Sequence, residues 1–127
     1  MDRPSLPEPA PLLVACLCAE WCGTCRDYRI VMRQVLGAHP DGVLRPVWVD
    51  IEDEDLVVGD TEIDNFPTLL LARGDELLFY GTLTPHAQTL ERLLQAALVG
   101  DLRPVTVDSD LQGLLRRVQR HVDSGGR

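Results

Sequence analysis

The chain reads as an α/β domain: a central mixed sheet of about four strands flanked by helices, with an extra helix at the C-terminal end. Three observations carry this reading. Short apolar runs bounded by turn residues alternate with longer stretches whose apolar side chains recur at helical spacing. A cysteine pair, Cys22 and Cys25, stands where the first apolar run gives way to the first amphipathic stretch. A further amphipathic segment follows a glycine stop at Gly100.

Residues 1–11 are polar and proline-rich, and are expected to form a flexible arm before a domain spanning 12–100. Leu12–Cys18 predicts a strand, and about Gly23–Leu36 a helix. Along that helix Tyr28, Val31, Met32, Val35 and Leu36 form an apolar stripe, with Arg26, Arg29 and Arg33 on the opposite side. Cys25 is in phase with the stripe. Cys22 falls at the helix mouth, where free backbone N–H groups and the positive end of the dipole favour a thiolate. One sulfur is thus placed to attack from the surface, and the other to resolve from beneath.

Val43–Asp50 predicts the second strand. The acidic segment Glu52–Thr61 follows as a short helix, with Asp53, Glu54 and Asp55 complementing the dipole of its first turn. A solvated helix start explains these carboxylates better than metal binding does. Thr68–Ala72 and Glu76–Tyr80 form a hairpin turning at Arg73-Gly74-Asp75. Thr84 then caps a helix with Pro85 at its first position; Leu90, Leu93, Leu94, Ala97 and Leu98 face inward, and Gly100 ends it.

The segment 101–127 is read as an extension. Val105–Val107 is expected to add an edge strand. Leu111, Leu114, Leu115, Val118 and Val122 make an apolar stripe on a helix started by Asp108 or Ser109. Such a helix needs a surface to cover. The expectation is a bare face of the sheet, and the alternative is a homodimer seam.

Composition fits one small domain of 127 residues. A net charge of −8 argues against nucleic acid and against anionic membrane surfaces, both of which select basic patches. All twelve basic residues are arginine, so no lysine tunes the cysteines. No stretch reads as a membrane span. Leu13-Val14-Ala15-Cys16 matches a lipoprotein cleavage box, but Asp2, Glu8 and four prolines upstream are a poor signal sequence. A buried strand is the better reading. The expected compartment is a reducing cytoplasm, where a dithiol is a working redox couple.

The segments Ala19-Glu20-Trp21-Cys22-Gly23-Thr24-Cys25, Val49-Asp50-Ile51-Glu52, Phe66-Pro67-Thr68 and Tyr80-Gly81 occur in an order and spacing that resemble the thioredoxin family, from about Leu12 to Leu98. The resemblance implies a thioredoxin-like fold and a protein dithiol–disulfide oxidoreductase. Cys22 attacks a client disulfide, and Cys25 expels the reduced product. The working group is a redox-active Cys22–Cys25 disulfide, with no other cofactor and no metal. It also implies that Pro67 is cis and lies across from the dithiol. The Phe66 backbone then pairs with a bound peptide. Trp21, Gly23, Thr24, Phe66, Pro67 and Gly81 are the expected substrate contacts, with Leu83 beside them. Partners are disulfide-containing client proteins and a reductase or other dithiol donor.

Several residues depart from the family pattern. The first strand is preceded by too few residues for the usual N-terminal strand and helix, so the C-terminal helix is expected on the face they leave bare. Cys16 stands six residues before Cys22, where the family carries an aspartate that helps remove the resolving thiol's proton. Cys18 stands where an aromatic residue is common, and Trp48 where a lysine is frequent. Alternation puts Cys16 and Cys18 on one face of the strand, beneath the dithiol. A buried thiol is a poor base near neutrality, so that proton is expected to pass to Glu20 or to water. Thr24 replaces the proline common between the two cysteines.

Two other functions compete. A C-x-x-C is also half of a zinc site, and Cys16, Cys18, Cys22 and Cys25 form a C-x-C-x3-C-x2-C array suited to a metal or cluster. Against it, a strand and an overlying helix start are expected to hold those sulfurs in separate layers. The other is a non-catalytic binding module or assembly chaperone on the same scaffold. Cys16 and Cys18 also read simply as small buried hydrophobes. His39, His86 and His121 have no recognisable catalytic partner.

Overall fold

The computed structural model describes residues 11–19, 23–40, 42–51, 67–105 and 109–123. The expected arm over 1–11, apart from Pro11, and the expected acidic helix over 52–61 lie outside these residues. Leu12–Cys18 forms β1, Leu44–Asp50 β2, Thr68–Arg73 β3 and Glu76–Thr82 β4. The strand order is β2-β1-β3-β4, parallel between β1 and β2 and antiparallel elsewhere. The helices are α1 (Gly23–Gly37), α2 (Ala87–Leu98) and α3 (Ser109–Asp123). Among the described residues no helix is long and apolar enough to cross a membrane.

All seven residues of β1 are buried, because the strand is paired on both edges and covered on both faces. Its alternation therefore feeds two cores. Leu12, Val14, Cys16 and Cys18 pack with Cys25, Tyr28, Met32 and Val35 of α1 and with Leu90, Leu94 and Ala97 of α2. Leu13, Ala15 and Leu17 face the other way and meet Leu114, Leu115 and Val118 of α3. The edge strand β2 carries Pro46 opposite Val14. An edge tolerates proline because its missing N–H need not serve a second neighbour.

The β3–β4 hairpin turns at Gly74, whose φ of +60° suits a residue without a side chain. At the end of α2, Gly100 adopts φ +84°; its N–H donates to Ala97 and that of Asp101 to Ala96. This pair of bonds satisfies the last carbonyls of the helix, as expected of a glycine stop. The start of α2 corrects the sequence reading. Thr84 and Pro85 precede the helix, and His86 is its N-cap with no side-chain cap bond. The His86 N–H donates to the Thr84 carbonyl at 2.8 Å, closing a tight turn that delays the helix. The Thr84 hydroxyl meets that of Thr89 instead of a backbone amide.

The C-terminal helix covers the second sheet face. Leu114 and Val118 are fully buried there, so the stripe weighed as a homodimer seam is occupied within the chain. Gln119 also donates to the carbonyl of Gly74 at 2.7 Å, tying α3 to the hairpin turn. The expected edge strand over 105–107 is reduced, in the described part, to one bond from the Val105 N–H to Leu77. Residues 106 and 107 lie outside the described residues.

Replacing the fully buried Leu114 removes apolar contact from that second core. Leu114→Ala should lower the unfolding free energy by about 2–5 kcal/mol in urea titration. Gln112→Ala, on the exposed side of α3, should change it by less than about 0.5 kcal/mol.

Candidate functional site

The site forms where β1 ends and α1 begins. Cys25 is the third residue of α1, inside the first turn, where helix N–H groups lack intrahelical partners and the dipole is positive. Its side chain points inward and is fully buried. There it forms a disulfide with Cys18, the last residue of β1, with Cα atoms 5.8 Å apart. The backbone N–H of Ala19 also donates to the Cys25 sulfur at 3.3 Å.

This bond corrects one expectation. The strand and the helix start do not hold their sulfurs in separate layers: Cys18 faces α1, and its sulfur reaches Cys25 directly. Cys22 itself, with Glu20, Trp21 and Phe66, lies outside the described residues. The four-cysteine metal array loses two ligands to the disulfide. Among the described residues no group of three or more His, Cys, Asp or Glu is placed to hold a metal ion.

Cys16 is on the same face as Cys18, as alternation requires, and is a free, fully buried thiol. Burial pushes its pKa far above the ordinary 9.0. Tyr28, on the overlying turn of α1, is buried in the same cluster, and its hydroxyl has no hydrogen-bond partner. Burial first, and the neighbouring Cys16 second, push its pKa above the ordinary 10.0. Neither group is a base near neutrality.

The other predicted contacts separate into two sets. Thr68 pairs with Leu17, so Pro67, immediately before it, stands at the Cys18 end of the sheet; it is buried, and its carbonyl accepts from Leu83 at 3.3 Å. Gly81 lies opposite Leu69, which in turn faces Cys16, and a methyl group there would press the Phe79 ring at 3.4 Å. Gly23 and Thr24 are exposed on the first turn of α1. A methyl at Gly23 would meet only the end of Arg26 at 3.8 Å, so sterics do not demand glycine there. Trp48 pairs with Cys16 from β2, and the Arg29 guanidinium lies over its ring at 5.1 Å. It lines a groove of about 620 Å³ between α1 and β2, together with Met32, Arg33 and Leu36, and no cysteine takes part.

The buried thiol and phenol make stability fall with alkali. The native state keeps both protons at pH values where the unfolded chain has lost them, so it binds more protons and stability drops as pH rises. The Cys16 contribution is complete below its ordinary 9.0 and is lost from there upward towards its raised native value. The slope is up to about 1.4 kcal/mol per pH unit. Denaturation midpoints should hold steady from about pH 7 to 8 and decline above about pH 9, with Cys16→Ala removing the earlier part of the decline.

The chain is similar to known proteins along most of the domain. The Thioredoxin family model matches residues 6–96. A search of curated protein sequences returned no match. Among solved structures, thioredoxin from Trypanosoma brucei brucei aligns with TM-score 0.61 at 22% identity, over 72% of this chain and 78% of that one. Oxidised mitochondrial thioredoxin 3 from Saccharomyces cerevisiae aligns with TM-score 0.56 at 24% identity, over 66% and 76%. The germline-specific thioredoxin Deadhead from Drosophila melanogaster aligns with TM-score 0.59 at 15% identity, over 68% and 80%. These likenesses show the fold. With the family model covering most of the chain and a bonded cysteine pair at the helix start, this protein belongs to the thioredoxin family, whose members generally act on disulfide-containing client proteins.

Proposed function

We propose that the protein is a thiol–disulfide oxidoreductase that reduces protein disulfides through Cys22 and Cys25. The observation that carries this reading is Cys25 itself. It sits in the first turn of α1, receives the Ala19 N–H, and has a sulfur already engaged in disulfide chemistry. In the reaction the Cys22 thiolate attacks one sulfur of a client disulfide and releases the other as a thiolate. The Cys25 thiolate then attacks Cys22, and the second client sulfur leaves with its electron pair. The amide of Ala19 and the free N–H groups of the helix start favour the attacking anion.

The products are a reduced client and an oxidised protein, which an external dithiol donor such as a reductase returns to the start. No cofactor beyond the cysteine sulfurs enters this scheme. Trp21, Gly23, Thr24, Phe66, Pro67 and Gly81 are the proposed client contacts. The cytoplasm is the proposed compartment, because disulfides there are transient and catalytic.

Proton removal from Cys25 is the unusual step. The position at which the family carries an aspartate holds Cys16, whose thiol burial keeps protonated. Glu20 or water is then the proposed acceptor.

Reduction of a disulfide-linked protein such as insulin, recharged by dithiothreitol, tests the scheme. Cys22→Ser should fall to the uncatalysed background, and Cys25→Ser should accumulate a mixed disulfide between Cys22 and the client. Full activity of Cys22→Ser removes Cys22 as the attacking thiol, and a wild type no faster than the uncatalysed background removes the oxidoreductase reading in favour of a binding module. Cys16→Asp should raise the resolution rate at neutral pH and move its pH dependence towards acid, since a buried carboxyl titrates nearer neutrality than a buried thiol. An unchanged pH–rate profile excludes this position from proton transfer.

A further inference from the structure

We propose that Cys18 is a third redox-active cysteine, which takes Cys25 from Cys22 and stores the oxidation of the site as a buried Cys18–Cys25 disulfide. The inference rests on the oxidoreductase reading above and goes beyond it. Cys25 can form only one disulfide at a time. Its two candidate partners are Cys18, bonded to it from the end of β1, and Cys22, three residues earlier in the sequence.

The step is an internal thiol–disulfide exchange. After a client has been reduced, the site holds a Cys22–Cys25 disulfide. The Cys18 sulfur, as its thiolate, attacks the Cys25 sulfur; the Cys18–Cys25 bond forms, the Cys22–Cys25 bond breaks, and Cys22 leaves as a thiolate. The Cys18 proton passes to solvent through the site, and no electrons enter or leave the protein. The reverse exchange regenerates Cys22–Cys25, which an external dithiol then reduces by attack on Cys22, with Cys25 as the leaving group.

Burial gives the exchange its consequence. Cys18 and Cys25 are both fully buried, so a dithiol outside the fold cannot reach their bond. The stored disulfide is therefore reached through Cys22. While it persists, Cys22 is a single thiol without its resolving partner. The protein then forms mixed disulfides that it cannot release, instead of completing reductions. Cys16 is placed on the same face of β1 but remains a free thiol, so the assignment falls on Cys18.

Peptide mapping of the wild-type protein tests the pairing. The protein is equilibrated with oxidised dithiothreitol, quenched in acid, alkylated in denaturant, and cleaved after Glu20 and Arg26. The expected product is peptide 1–20 joined to peptide 21–26, with Cys22 and Cys16 alkylated and fragmentation placing the bridge on Cys18. A bridge found only within 21–26, with Cys18 alkylated, overturns the proposal.

The route is tested with Cys22→Ser, oxidised with diamide to the Cys18–Cys25 form. Its reduction by a thioredoxin-sized dithiol protein under native conditions should be at least about tenfold slower than in the wild type, since exchange depends on access to the attacked sulfur. Equal rates overturn passage through Cys22. Failure of the parent reading is distinct: it appears as a wild type that reduces the client no faster than the uncatalysed background, whereas failure of the relay alone leaves the wild type active and the mapped bridge within 21–26.

Discussion

The structure depends on the burial of β1 on both faces and along both edges. A strand in that position has no solvent-facing register available. A one-residue slip would exchange Leu13, Ala15 and Leu17 with Leu12, Val14, Cys16 and Cys18 between two differently shaped cores. The register with β2 and β3 is thereby determined, and with it the height at which Cys18 emerges below the first turn of α1. Pro67 reaches the same end of the sheet through its neighbour Thr68, which pairs with Leu17. The placement of the site is thus a consequence of packing far from it.

The covalent bond across the strand–helix junction adds comparatively little to this stability. Cys18 and Cys25 are separated by seven positions, and a loop that short removes roughly 2–3 kcal/mol of chain entropy from the unfolded state. A single well-buried leucine contributes about as much, and the two cores contain many. Breaking the bond should therefore leave a folded domain with two free thiols in the strand–helix layer. A disulfide on which the fold does not depend is one that the chemistry can open and close.

Much of this was legible in the sequence because it is local or periodic. Leu12–Cys18 is bounded by Pro11 and by the turn into α1, and its alternation correctly put Cys16 and Cys18 on one face. The stripes of α1 and α3 were legible from their 3.6-residue period, with Cys25, Tyr28, Met32 and Val35 buried in the first and Leu114, Leu115 and Val118 in the second. The start of α2 was not, since Thr84-Pro85 is a good helix opening by residue type, whereas the chain first turns back on Thr84. The Cys18–Cys25 bond was not legible either. Alternation gives the face on which a cysteine lies, but a disulfide requires a particular Cα separation between elements. The C-x-x-C spacing also draws attention to the neighbour in sequence and away from the neighbour in space.

Thiols in place of a carboxylate and an aromatic ring change what the interior beneath Cys25 can do. A carboxylate there is costly to bury when ionised, and it is kept in such sites for the proton it moves. A protonated thiol is inexpensive to bury and behaves as a small hydrophobe, which is why Cys16 packs among Val14, Tyr28 and Leu69 without a polar partner. What it gives up is basicity, since burial holds Cys16 protonated. The second thiol, Cys18, supplies a different resource, a sulfur close enough to bond with Cys25. This interior is therefore poor at accepting protons and rich in sulfur, which suits the proposed exchange between cysteines better than acid–base catalysis at one of them.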